Sequence, residues 1–233
     1  MPKFLVYCRK REVSIMEVQD FFPVWAQLTP SQQHKLTDSA MSRNIPKGTV
    51  LAGSSTECTG LLLVCSGQLR AFILSDEGRE ITLYRLFERD ICLLSASCML
   101  RSMQFEIMIA AEKDTQLLII PADVYQRITK ESAPAANFTT EIMAARFSEV
   151  MWLMEQIMWK SFDRRLARFL LDESALEETA LLHLTHETIA NHLGTAREVV
   201  TRMLRYFQSE GLVHLSRGAV EITDTQKLRE LAS

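Results

Sequence analysis

The residues best equipped for chemistry lie within positions 184–204. Arg197, Glu198 and Arg202 recur on one side of a helical repeat, with Thr195, Thr201 and Arg205 beside them. An arginine guanidinium fits both acceptors on the major-groove edge of guanine, and a carboxylate accepts from the amino group of cytosine. The chemistry these side chains suit is therefore the reading of base-pair edges in a duplex. A solvated helix face with a Glu198–Arg202 pair fits the same spacing.

What positions these side chains is legible around them. Val200, Met203, Leu204 and Phe207 recur at helical spacing on the opposite side and predict a buried stripe. Thr195 and Glu198 stand as Thr-x-x-Glu, which predicts a capping box where this helix begins. Upstream, Thr185 is placed to cap a shorter helix whose apolar face is Ile189, Ala190 and Leu193, and Gly194 supplies the turn between the two. A helix-turn-helix puts the N-terminal part of its second helix into the major groove. Downstream, 211–215 and 220–223 read as strands around a turn at 216–219, with Arg217 at the tip to reach a phosphate. Two helices and a hairpin make a winged helix-turn-helix.

Composition sets the bounds. The chain has 233 residues, 47% of them hydrophobic, and a formal net charge of −3, so any affinity for DNA has to come from a local cluster of cations. Five scattered cysteines suggest reduced thiols. The apolar run at the start is too short for a signal peptide, and no segment reaches the roughly 20 apolar residues of a membrane span. The expected setting is cytoplasmic, with no membrane partner. An enzyme is not expected: there is no glycine-rich phosphate loop, metal-ligand cluster or nucleophile arranged with a histidine.

Along the chain, residues 15–42 read as helical, with Pro30 in a first turn and His34 as a surface histidine. From Ile45 the pattern turns to strands at 46–51, 61–65, 69–74, 81–86, 105–111 and 115–120, with turns at Ser66-Gly67 and Asp76-Glu-Gly-Arg79. That predicts a compact antiparallel roll. Helix returns at 121–128, and a long helix spans 135–160. In it Met143, Phe147, Val150, Met154 and Ile157 alternate spacings of four and three, the seam of a homodimer; a helix packed on its own domain is the alternative. Leu153 belongs to a second stripe facing back to the strands. The segment 172–178 reads as an exposed acidic loop. The expected class is α+β, with a sensor domain at 18–134, a dimerisation helix at 135–160 and a winged helix-turn-helix at 161–233.

In this order the sequence resembles the family of the cyclic-AMP receptor protein and the fumarate-nitrate regulator (CRP/FNR). The matching pieces are Ser66-Gly-Gln-Leu69, Asp76-Glu-Gly-Arg-Glu80, Asp163-Arg-Arg-Leu-Ala167 and above all Gly194-Thr-Ala-Arg-Glu-Val-Val-Thr-Arg202. The resemblance implies a cyclic-nucleotide-binding-like roll and a transcription factor acting on double-stranded DNA. It implies that Arg197, Glu198 and Arg202 read a palindrome with GTGA-like half-sites, and that RNA polymerase meets a surface near 172–178, where a solvated loop is the alternative.

The sequence departs from the family at the effector pocket. Cyclic-nucleotide members carry a Gly-Glu-Leu segment and an Arg-Ser pair there. Here Asp90 is followed by Ile-Cys-Leu-Leu-Ser-Ala-Ser-Cys98, and Arg101-Ser102 fall a few residues early. Burying a cyclic phosphate without a cation is costly, so a cyclic nucleotide is not expected. An iron-sulfur cluster needs several closely spaced N-terminal cysteines, and only Cys8 lies there. Haem is disfavoured because His34 is the one histidine ahead of the DNA-binding part. Cys58, Cys65, Cys92 and Cys98 fit no zinc spacing; redox sensing and structural burial both remain open for them. The expected effector is an unidentified small non-nucleotide ligand or a redox signal, with Cys92, Leu94, Ser95 and Ala96 as candidate pocket residues.

Overall fold

The computed structural model describes residues 16–52, 60–95 and 107–233. Two short 3-10 turns, Val18–Phe21 and Trp25–Gln27, lead into helix α1 (Pro30–Ser39). The Thr29 hydroxyl accepts from the Gln32 amide at 3.4 Å and the Gln32 side chain accepts from the Thr29 N–H at 3.0 Å, a reciprocal cap. Strand β1 (Met41–Ile45) then begins four residues before the expected change at Ile45. Its polar sequence carries little strand signal, and pairing with a distant strand decides its state.

The roll is two antiparallel sheets. One has the order β1, β8 (Thr115–Ile120), β3 (Leu61–Ser66), β6 (Ile91–Cys92). The other has the order β2 (Val50–Ala52), β7 (Met108–Ala111), β4 (Leu69–Leu74), β5 (Glu80–Leu86). Strand β3 is apolar on both faces because both are covered. Leu62 and Val64 point between the sheets with Leu69, Leu86 and Ile109, whereas Leu61 and Leu63 point outward to Phe21, Leu36, Tyr125 and Ile128.

Helix α2 (Ala122–Glu131) precedes α3 (Ala133–Trp159), whose 27 residues make the long helix. Its first half packs on the roll through Phe138, Ile142 and Met143. Further along, Arg146 lies 4.8 Å above the Tyr84 ring and donates to Glu149 at 2.8 Å. Beyond that point the helix leaves apolar side chains in solvent.

The C-terminal unit comprises α4 (Phe162–Leu176), β9 (Leu181–Leu182), α5 (His186–Leu193), α6 (Arg197–Ser209), β10 (Val213–Ser216), β11 (Ala219–Ile222) and α7 (Thr225–Ala232). The hairpin gains a third strand, β9, which pairs with β11. Helix α7 adds Leu228 and Ala232 to the core formed by Leu166, Leu170, Ile189, Leu204 and Phe207. The acidic segment 172–178 is not an exposed loop: α4 runs on through Leu176, and Glu173 is only 6% exposed. An arginine on the roll supplies the countercharge that lets this carboxylate be buried.

Candidate nucleic-acid interface

The site is built from α5 upward. The Thr185 hydroxyl accepts from the Thr188 amide at 3.0 Å and starts the helix, and Ile189 and Ala190 are buried beneath it. Gly194 ends it at φ +64°, where the Thr195 amide donates back to the Ala190 carbonyl at 3.1 Å. Thr195 is thereby held in the turn, one residue ahead of the N-cap of α6. That N-cap is Ala196, whose carbonyl accepts from Val199 at 3.0 Å, and no side chain caps the helix. The capping box expected of Thr195 and Glu198 does not form, because the tight turn claims Thr195 first.

On α6, Val200, Leu204 and Phe207 are fully buried and Met203 packs beside them. The opposite face brings Arg197, Glu198, Thr201, Arg202 and Arg205 around one open groove. The four charged side chains are exposed and Thr201 is half-buried. Among the described residues, no ion pair engages Arg197, Arg202, Arg205 or Arg217, and the Glu198–Arg202 pair is not made. The cations are left free for a partner.

Thr201 has a second task. Its hydroxyl donates to the Arg197 carbonyl at 2.9 Å and lies 2.8 Å from His186 Nδ1, which ties α6 to α5. Burial, then the Arg197 and Arg205 charges, hold the His186 pKa below its ordinary 6.5. Gln208 accepts from the Leu215 amide at 2.9 Å and fixes the wing against α6. Arg217 stands exposed at the tip, beside Gly218 at φ +74°. His186, Arg205 and Gln208 complete the site. Arg205 was visible in the helical repeat, but the other two act through partners that spacing does not reveal.

A family profile described as a Crp-like helix-turn-helix domain matches residues 164–231. The cyclic AMP receptor protein of Thermus thermophilus is 26% identical over 210 residues, spanning 90% of this chain and 96% of its own length. The transcriptional activator protein Anr of Pseudomonas aeruginosa is 25% identical over 198 residues, 82% of this chain and 80% of its own. A crystal structure from Eubacterium rectale, described as a transcriptional regulator of the Crp/Fnr family, is similar at 60% identity and TM-score 0.90, covering 91% of this chain and 99% of that one. The chain belongs to the Crp/Fnr family of transcriptional regulators.

In this Crp/Fnr regulator the candidate effector residues Cys92, Leu94 and Ser95 lie in the roll. Cys92 is fully buried, and burial raises its thiol pKa. Ser95 is buried, and its hydroxyl donates to the Gly60 carbonyl at 2.6 Å and the Cys92 carbonyl at 2.8 Å. Leu94 packs on the core between the sheets. Ala96, Arg101 and Ser102 lie outside the described residues, as do Cys8, Cys58 and Cys98. Cys65 is half-buried with a raised pKa, again from burial. Among the described residues, no cluster of three or more histidines, cysteines or acids is placed to hold a metal.

Of the seam residues, Phe147 is 65% exposed, Met154 and Ile157 are also exposed, Val150 is half-exposed, and Met143 packs partly on its own roll.

Sequence reasoning missed a latch joining the regulator's two ends. Arg85 on β5 is ion-paired to Glu173 on α4, and its Nε lies 2.8 Å from Glu112 Oε2. From α5, His192 places Nε2 3.3 Å from Glu112 Oε1 and Nδ1 2.9 Å from the Thr82 hydroxyl, with its ring stacked on Phe169. Burial pushes the Glu112 carboxyl upward, but the His192 hydrogen bond, the Arg85 and His192 charges and Gln68 together bring it down to about 2. Four residues so far apart in the chain leave no local pattern to find.

Proposed function

We propose that the chain acts as a homodimer that reads palindromic double-stranded DNA through α6, under the control of a small effector or redox signal received by the roll. The division of labour is a sensor at 18–134, a dimerisation helix at 135–160 and a DNA-binding unit at 161–233. The observation that carries the reading is the α6 groove: Arg197, Glu198 and Arg202 share an exposed face, and none of them is spent on an ion pair within the described residues. Arg197 and Arg202 suit guanine, Glu198 suits cytosine, and Thr195 and Thr201 lie at the margins, with Arg217 on the phosphate backbone.

The exposed apolar stripe of Phe147, Met154 and Ile157 supports a two-fold pairing along α3. Such a pair sets the half-sites about one helical turn, roughly 34 Å, apart. A contact with RNA polymerase is read near 172–178, on the side chains there that are not committed within the chain as Glu173 is to Arg85 and Glu177 to Lys113. No described helix is long and apolar enough to cross a membrane, which accords with a cytoplasmic DNA-binding protein.

Selection of sites from random duplex DNA, followed by gel shifts, tests the reading. A palindrome with GTGA-like half-sites is expected, and Arg202→Ala is expected to lose about 1–3 kcal/mol of discrimination at one base pair. Full preference retained by Arg202→Ala overturns the assignment of base readers.

A further inference from the structure

A cavity of about 340 Å³ lies where the roll, the long helix and the DNA-binding unit meet. That volume is within the range of small-molecule sites, roughly 300–1,000 Å³. The wall is drawn from β5, α3, α4 and α5, and Phe87, Trp152 and Phe169 give it an aromatic character. It is distinct from Cys92, Leu94 and Ser95, which the sequence marks as candidate effector residues.

The charges around it do not cancel. Arg85 is paired with Glu173, and Arg168 faces the Asp172 carboxylate one turn along α4. Among the described residues, Arg165 has no such partner. Its Nη1 donates to the Leu193 carbonyl at 3.1 Å, its guanidinium lies 5.6 Å from the Phe162 ring, and its buried Nε has no hydrogen-bond partner among the described residues. A half-buried guanidinium with no carboxylate partner among the described residues, on the wall of an aromatic cavity, is the arrangement that an anion bearing a flat apolar body would complete.

We propose that this cavity binds a small aromatic anion, one to three rings carrying a carboxylate or sulfonate, with its acid on Arg165 and its rings against Phe169 and Trp152. Because the wall is shared between β5 on one side and α4 and α5 on the other, a ligand there touches both parts joined by the latch. It favours whichever placement of the DNA-binding unit keeps the wall closed, and so changes affinity for DNA by its difference in affinity for the two placements. Only this coupling rests on the function proposed above; the binding site does not.

The test uses the full chain with two fluorescent probes of nearly the same shape, anionic 1-anilinonaphthalene-8-sulfonate and uncharged N-phenyl-1-naphthylamine. The anionic probe is expected to bind at one per chain and at least about tenfold more tightly than the neutral one, the worth of one charge-assisted hydrogen bond. Arg165→Met is expected to abolish that preference while leaving the neutral probe unaffected, and Arg165→Lys to keep most of it. If Arg165→Met does not fold, Phe169→Leu is expected to weaken both probes together. Equal affinities for the two probes in the unsubstituted protein, or a preference that survives Arg165→Met, overturn the site. Probe binding that appears only on dilution to monomers assigns the cavity to a second copy of the chain and overturns it too. Gel shifts with and without the anionic probe read the coupling: a several-fold change in DNA affinity is expected, and no change despite Arg165-dependent binding overturns the coupling. Failure of the function proposed above has a different signature, namely no DNA binding in any state with probe binding intact.

Discussion

Within the α6 groove, one side chain is held and the others are free. Thr201 is fixed by the Arg197 carbonyl and His186, whereas Arg197, Arg202 and Arg205 extend into solvent. Thr201→Val should therefore cost about 1 kcal/mol of stability, the net worth of an intramolecular hydrogen bond, measured by denaturant unfolding. His186 gives a pH test with a fixed sign. Its pKa is lowered by burial and by nearby arginine charges, so its neutral form is favoured in the fold and the associated stability declines as pH falls below its ordinary 6.5. An NMR titration should place its midpoint below that value, and Arg197→Ala should move the midpoint partly back up by removing one of the charges. A midpoint at or above 6.5 in the unsubstituted protein contradicts the packing around His186.

Among the elements, the turn between α5 and α6 is tightly constrained. A Cβ at Gly194 would sit 2.8 Å from Ile81 Cδ1, on a backbone with positive φ. Gly194→Ala should destabilise by more than about 1 kcal/mol, since backbone strain and a clash with β5 add together. The double variant with Ile81→Ala should recover the steric part only, a separation readable in a double-mutant cycle. The long helix carries the other constraint. With Phe147 65% exposed, Phe147→Asp should leave the fold intact and shift sedimentation from dimer to monomer. An unchanged sedimentation coefficient would remove the proposed seam. These elements were legible because α6 presents one repeating apolar stripe to a single environment and α3 repeats its apolar residues at helical spacing along its length. β1 was not, since its state is decided by strand β8, seventy residues further along the chain.

At the scale of the molecule, Glu112 is the hinge of the latch between the roll and the DNA-binding unit. Its carboxyl falls from an ordinary 4.5 to about 2, so the linked stability is present above pH 4.5 and is lost as pH falls through 2. The lowering corresponds to about 3 kcal/mol, shared between the roll and the contact with α4 and α5. Melting curves of the unsubstituted protein and Glu112→Gln, taken between about pH 6 and about pH 3, should show a gap that narrows toward acid. A gap independent of pH would mean that the carboxylate charge does not hold the latch.

The sequence by itself determined the main order of elements, the buried stripes and the polar face of α6 that carries Arg197, Glu198 and Arg202. Each of these depends on residues within one or two turns of each other, where side-chain period follows directly from backbone geometry. It could not determine that the acidic run at 172–178 turns inward at Glu173, that Thr195 is taken by a turn and not by a cap, or that Arg85, Glu112 and His192 meet. Those outcomes depend on which distant charges and carbonyls come together once separate elements pack, and only the tertiary structure brings them within reach of one another.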